Sequence, residues 1–171
     1  NTSGSPNDAF GNQAMYNNTT GTYNVAVGYA SLYYNVTGIN NTAVGYATLG
    51  FGNSATASFS NSTAIGQGAL YYNTASNNTT GAQNVAVGFQ SLYANTVGVY
   101  NTGIGYRALF NNISGISNTA LGLEALYNNT TGSNNTAIGS YDGGGLNAAL
   151  RANTVGIQNV AVGNGSLQAS S

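Results

Sequence analysis

The chain has 171 residues, a net charge of −1 and only 3% charged residues, with neither histidine nor cysteine. Without those two residue types there is no common catalytic triad, thiolate or zinc site, and two arginines with no lysine make no patch for nucleic-acid phosphates. No apolar run approaches the roughly 20 residues of a membrane helix, so the reading is a non-enzyme with no cofactor, no metal, no nucleic-acid partner and no membrane insertion.

In chain order, the segment from Asn1 to Pro6 has turn chemistry and resembles the later Asn129–Asn134. A motif then recurs nine times: Asn-x-Ala-aliphatic-Gly, followed by a small residue and a Leu three and four positions on. Its glycines are Gly11, Gly28, Gly45, Gly66, Gly88, Gly105, Gly122, Gly139 and Gly163, spaced by 17, 17, 21, 22, 17, 17, 17 and 24 residues. A short fixed period with insertions at defined points is the mark of stacked supersecondary units.

One unit runs from Asn24 to Asn40. Asn24–Val27 is β-favouring, and Gly28 breaks it at a bend. Tyr29–Tyr34 reads as a second short strand, and Asn35–Gly38 as a closing turn. Two strands and two turns in one unit leave no room for a helix. The fold class expected is therefore all-β: a parallel β-solenoid of about nine coils with a 17-residue basic repeat. It forms one domain over residues 1–171, with longer loops near 50–60, 73–78 and 140–146.

Stacking turns equivalent positions into columns. Two aliphatic columns are read as core: Val27, Val44, Ile65, Val87, Ile104, Leu121, Ile138 and Val162 before the glycine, and Leu32, Leu49, Leu70, Leu92, Leu109 and Leu126 after it. The Ala column between them is assigned to the opposite face by the two-residue period of a strand. The opening asparagines, Asn24, Asn41, Asn84, Asn101, Asn118, Asn135 and Asn159, are read as a hydrogen-bonded ladder. Arg107 and Glu124 lie one repeat apart and are expected to form a cross-coil ion pair. Aromatic columns (Tyr16, Tyr33, Tyr71, Tyr93, Phe110, Tyr127; and Tyr29, Tyr46, Phe89, Tyr106) read as packing between coils, with sugar stacking as the alternative. Asn-x-Ser/Thr sequons make Asn18, Asn35, Asn78, Asn112 and Asn129 candidate glycosylation sites.

The closest copy of the motif, Asn61-Ser62-Thr63-Ala64-Ile65-Gly66, resembles the head repeats of trimeric autotransporter adhesins, whose signature is Asn-Ser-Val-Ala-Ile-Gly-x-x-Ser. The wider pattern is similar to repeats in fibre proteins of phages and bacterial surface proteins. The resemblance implies a left-handed parallel β-roll, a trimer, and an extracellular, cell-surface or phage-particle location. The first and last residues stand at about the same phase of the repeat, without charged or helical caps. That leads to an expectation of head-to-tail stacking into a structural filament, the chain being otherwise a segment of a longer array. The alternatives are a glycan-binding adhesin or phage fibre shaft, and an ice-binding solenoid using the threonine row Thr42, Thr102, Thr119 and Thr136, which Val25, Val85 and Val160 interrupt. Partners expected are the chain itself, as polymer or homotrimer, and glycans, attached or bound.

Overall fold

The structure, a computed structural model, describes residues 3–50, 59–74, 82–141 and 148–167. Each motif forms one short strand: Asn7–Phe10 (β1), Asn24–Val27 (β2), Thr42–Val44 (β3), Thr63–Ile65 (β4), Val85–Val87 (β5), Thr102–Ile104 (β6), Thr119–Leu121 (β7), Thr136–Ile138 (β8) and Val160–Val162 (β9). They pair in parallel, in chain order, as one nine-stranded sheet. The result is an all-β solenoid of about seven turns with a repeat near 17 residues, slightly fewer turns than the nine coils expected. Register holds across the longer intervals: Ala43 pairs with Ala64, Ala64 with Ala86, and Ala137 with Ala161. Most of each expected loop, 51–58, 75–78 and 142–146, lies outside the described residues.

The second half of the unit is not a strand. From Gly28 to Tyr34 the chain is a run of turns in which Ala30 (φ 53°) and Leu32 (φ 52°) are left-handed. N–H groups two residues apart bond to coils on opposite sides, and the Ser31 N–H between them donates to Gly28 O of its own coil. Ala30 N–H donates to Asn12 O on the preceding coil, and Leu32 N–H donates to Thr48 O on the following one. A left-handed non-glycine residue costs roughly 1–2 kcal/mol, but burying its leucine side chain contributes about 1.5–3 kcal/mol. At Leu32 burial therefore offsets the strain, whereas other left-handed residues, such as Tyr23 and Tyr100, are exposed. The motif glycines stack directly on one another: a Cβ on Gly88 (φ 129°) would lie 2.4 Å from the carbonyl oxygen of Gly105, so no side chain fits.

The core is narrower than the aliphatic columns suggest. Leu32, Leu49, Leu70, Leu92, Leu109, Leu126 and Leu150 are fully buried, and across from them stand Ala26, Ala43, Ala64, Ala86, Ala120 and Ala137, fully buried too. The other aliphatic column, expected in the core, faces out. Val27, Ile65, Ile104, Leu121, Ile138 and Val162 are exposed, and Val44 and Val87 are half-buried. The two-residue alternation holds but its phase is inverted: Asn and Ala point in, x and the aliphatic residue point out. The physical reason is width. A coil this short has room for one large residue, the leucine, and only a methyl group opposite it.

The Asn column lies inside. Asn118 Nδ2 donates to Asn101 Oδ1 (3.1 Å) and to Gly132 O (2.8 Å), while its Oδ1 accepts from Asn135 N (3.0 Å) and Asn135 Nδ2 (3.1 Å). The same bonds join Asn24 to Asn41 and Asn135 to Asn159. Ser62 takes the position in β4's coil, its N–H donating to Asn41 Oδ1 at 3.1 Å.

Asn118→Ala leaves two buried donors of Asn135 without their acceptor, at about 1–3 kcal/mol each. Urea denaturation of this variant is expected to show a loss of about 3 kcal/mol or more. Asn12→Ala, at an exposed position, stays within about 0.5 kcal/mol of the parent; equal losses for the two would remove the ladder's role.

Candidate functional site

A second asparagine ladder runs parallel to the first, seven residues after the motif glycine except at Asn153, fourteen after Gly139 beyond an insertion, and the sequence reading missed it. Asn35 Nδ2 donates to Asn18 Oδ1 (3.1 Å), Asn112 to Asn95 (2.8 Å), Asn129 to Asn112 (2.8 Å) and Asn153 to Asn129 (2.9 Å). Each of these amides also donates to the carbonyl of the glycine three residues on, such as Gly38, Gly115 and Gly132. That carbonyl serves both ladders, because Asn24 Nδ2 reaches Gly38 O and Asn101 Nδ2 reaches Gly115 O. A Cβ on Gly115 would sit 2.3 Å from Asn112 Oδ1, which explains Asn-x-x-Gly as a recurrent unit.

This arrangement overturns four of the candidate glycosylation sites. Asn18, Asn35, Asn112 and Asn129 are buried with Nδ2, the atom a glycan would take, committed to hydrogen bonds. Asn78 lies outside the described residues. The clue in the sequence was the invariant offset of these asparagines from the motif glycine, which a scattering of sequons would not keep. Peptide mass spectrometry of folded chain secreted from a glycosylating host is expected to find Asn18, Asn35, Asn112 and Asn129 unmodified; a glycan on any of them would contradict the ladder.

The expected ion pair is replaced by another. Arg107 and Glu124 do occupy one column, Arg107 N–H donating to Phe89 O and Glu124 N–H to Tyr106 O. Their side chains diverge. Arg107 leans back, Nε donating to Gln90 Oε1 at 2.9 Å, with its guanidinium 5.2 Å from the ring centres of Tyr106 and Phe110. Glu124 accepts instead from Arg151 Nε at 2.8 Å. Faces of aromatic rings attract a cation, and Arg107 has two of them beside it, while Arg151 brings the charge Glu124 needs.

The aromatic columns are stacks. Tyr71, Tyr93, Phe110 and Tyr127 follow one another with centroids 5.0, 5.1 and 5.1 Å apart and nearly parallel planes, and the guanidinium of Arg151 ends the run 5.1 Å from Tyr127. Tyr16 and Tyr33 form an earlier pair in this row; Tyr29 with Tyr46 and Phe89 with Tyr106 form the second row. The row breaks at Gly50, whose missing side chain makes room for Phe59, buried in the core.

Outside the sheet lies a continuous apolar row: Phe10, Val27, Val44, Ile65, Val87, Ile104, Leu121, Ile138 and Val162, one per strand. Beside it, in register, runs a column holding Thr42, Thr63, Thr102, Thr119 and Thr136, with Val25, Val85 and Val160 interspersed. No group of acidic, histidine or cysteine side chains that could hold a metal occurs among the described residues, and no helix there is long and apolar enough to cross a membrane. Neither a family model, a curated protein nor a solved structure matches the chain.

Burial raises the Tyr71 and Tyr93 hydroxyls above the usual tyrosine value of 10.0, and the negative charge of neighbouring phenolates, Tyr72 first, adds to it. The folded chain therefore keeps these protons longer than the unfolded chain. Their contribution is whole below about pH 10 and is lost as pH rises through that value toward the folded one. Ultraviolet titration is expected to show a component from Tyr71 and Tyr93 ionising above the usual tyrosine value, with the urea midpoint falling above about pH 10; substitution Tyr93→Phe reduces the late amplitude, and an unchanged titration would contradict the assignment.

Proposed function

We propose that the chain is a non-enzymatic structural element of an extracellular fibre, on a bacterial surface or a phage particle, whose copies associate with one another. The observation that carries this is the outward aliphatic row. Monomeric soluble proteins rarely expose contiguous apolar patches beyond a few hundred Å², and this row has one large apolar residue on every strand. A charge-poor surface adds little repulsion between copies. The resemblance of the Asn61–Gly66 motif to trimeric adhesin heads favours three chains packed through this face, as in an adhesin or fibre shaft. Bonds between coils are the same at nearly every step, so they also suit copies joined end to end into a filament of more coils than one chain supplies.

The threonine column beside the aliphatic row supports a second reading, an ice-binding face, since the two columns present regular outward rows on one parallel sheet. Sedimentation of the parent chain and of Ile104→Glu/Leu121→Glu separates the two. Self-association of the parent, lost in the double variant with the β-sheet circular dichroism retained, is the expected result. A parent that stays monomeric at high concentration and shows thermal hysteresis would replace the fibre reading with the ice-binding one.

A further inference from the structure

Between the two aromatic rows lies a channel whose floor is the residue two after each motif glycine: Ala30, Ala47, Gly68, Gln90, Arg107 and Glu124 in successive coils. Its contents change along the solenoid. In the later coils it is filled by the chain's own Arg107, whose guanidinium sits 5.2 Å from the Tyr106 and Phe110 ring centres and 5.9 Å from that of Phe89. Two coils earlier it is open. A notch of about 110 Å³ lies over Ala47 and Gly68, with Tyr46 on one wall, Tyr71 and Tyr93 on the other, and the Gln67 and Gln90 side chains lining it.

The notch is a vacancy left by a side chain, not by the backbone. Gly68 has φ 66°, in the same region as Gln90 (φ 54°) and Arg107 (φ 53°) in its column, so larger residues adopt this corner elsewhere. A Cβ on Gly68 would meet only ordinary contacts, 3.5 Å from Gln90 Cγ and Tyr93 Cε2. Tyr46 and Tyr71 stand where Arg107 has Phe89 and Phe110, Gln67 replaces the ring that Tyr106 supplies there, and glutamine amides supply acceptors of the kind that Gln90 Oε1 gives Arg107 Nε.

We propose that this notch binds the guanidinium of an arginine side chain from a partner polypeptide, seated between Tyr46 and Tyr71 as Arg107 is between Phe89 and Phe110. Two observations choose the ligand. The chain's only two cationic side chains, Arg107 and Arg151, both lie against aromatic faces of these rows. The walls are neutral and offer tyrosine rings and glutamine amides, which a planar, weakly hydrated cation uses better than an ammonium. The proposal is independent of the fibre reading, because the notch is on the aromatic corner and not on the outward sheet face.

The test is an NMR titration of the full chain with N-acetyl-arginine amide, with N-acetyl-lysine amide and methyl glucoside as comparators. Saturable shifts confined to Tyr46, Gly68, Tyr71 and Tyr93 are expected for the arginine probe, with the lysine probe weaker. Gly68→Arg fills the notch with a built-in guanidinium and is expected to weaken binding about tenfold or more, as does Ala47→Gln, should the first variant fail to keep the parent's sheet signal. No saturable shift with the arginine probe, shifts that survive both substitutions, or saturation by the glucoside alone would each overturn the proposal, the last in favour of a sugar site.

Discussion

The stacking of this molecule depends on the buried amide of the asparagine that opens every coil but the one where Ser62 takes its place. An asparagine side chain carries two N–H donors and an oxygen with two lone pairs. At Asn118 all four are used within the chain: the donors go to Asn101 and Gly132, the lone pairs to the backbone and side chain of Asn135. A polar group that is fully satisfied can sit in a dry interior at little cost, while an unsatisfied one costs about 1–3 kcal/mol. The ladder therefore demands a partner at a fixed height above and below, and the 17-residue period is the chain length that supplies it. The second ladder imposes the same demand alongside the first, and a shared glycine carbonyl locks the two together.

Two polar ladders inside a thin coil leave little space for hydrocarbon. Leucine from the turn and alanine from the strand fill what remains, and the strand's larger residues have to face outward. The exposed aliphatic row is thus a consequence of the interior chemistry and not an accident of the surface. The left-handed corners have the same origin: at Leu32 and Leu109 the backbone takes positive φ to turn the side chain inward while its N–H reaches the next coil.

Much of this was legible in the sequence. The period, the parallel all-β solenoid, the leucine column and the Asn column can all be read from spacing, since stacking converts recurrence directly into contact. The phase of the strand could not be read from hydrophobicity, which put Val27 and Ile104 inside. It could have been read from Asn24 and Ala26, which share parity: a hydrogen-bonded Asn ladder needs shelter from water, so alanine must go in with it. Asn112 and Asn129 were hidden by a competing motif, because a sequon and a ladder residue look alike until the constant offset from glycine is noticed. The partnership of Arg107 was not legible, since column position fixes where a side chain starts and not which way it leans. Its choice of Gln90 and two rings over Glu124 depends on Arg151, which follows an insertion whose length the repeat does not dictate.

A solenoid made of identical coils would have no distinguishable place along its length. Individuality lies where the repeat is broken while its backbone is kept. Ser62 stands for Asn in one ladder, Gly50 admits Phe59 to the core, and Gln67 with Gly68 interrupts both the aromatic row and the channel beside it. The left-handed corner at Gly68 is one that Gln90 and Arg107 also occupy, so the fold does not require glycine there. A position that the scaffold leaves open, set between walls the scaffold keeps in register, is where a repetitive structure can hold a specific contact without disturbing the bonds that stack it.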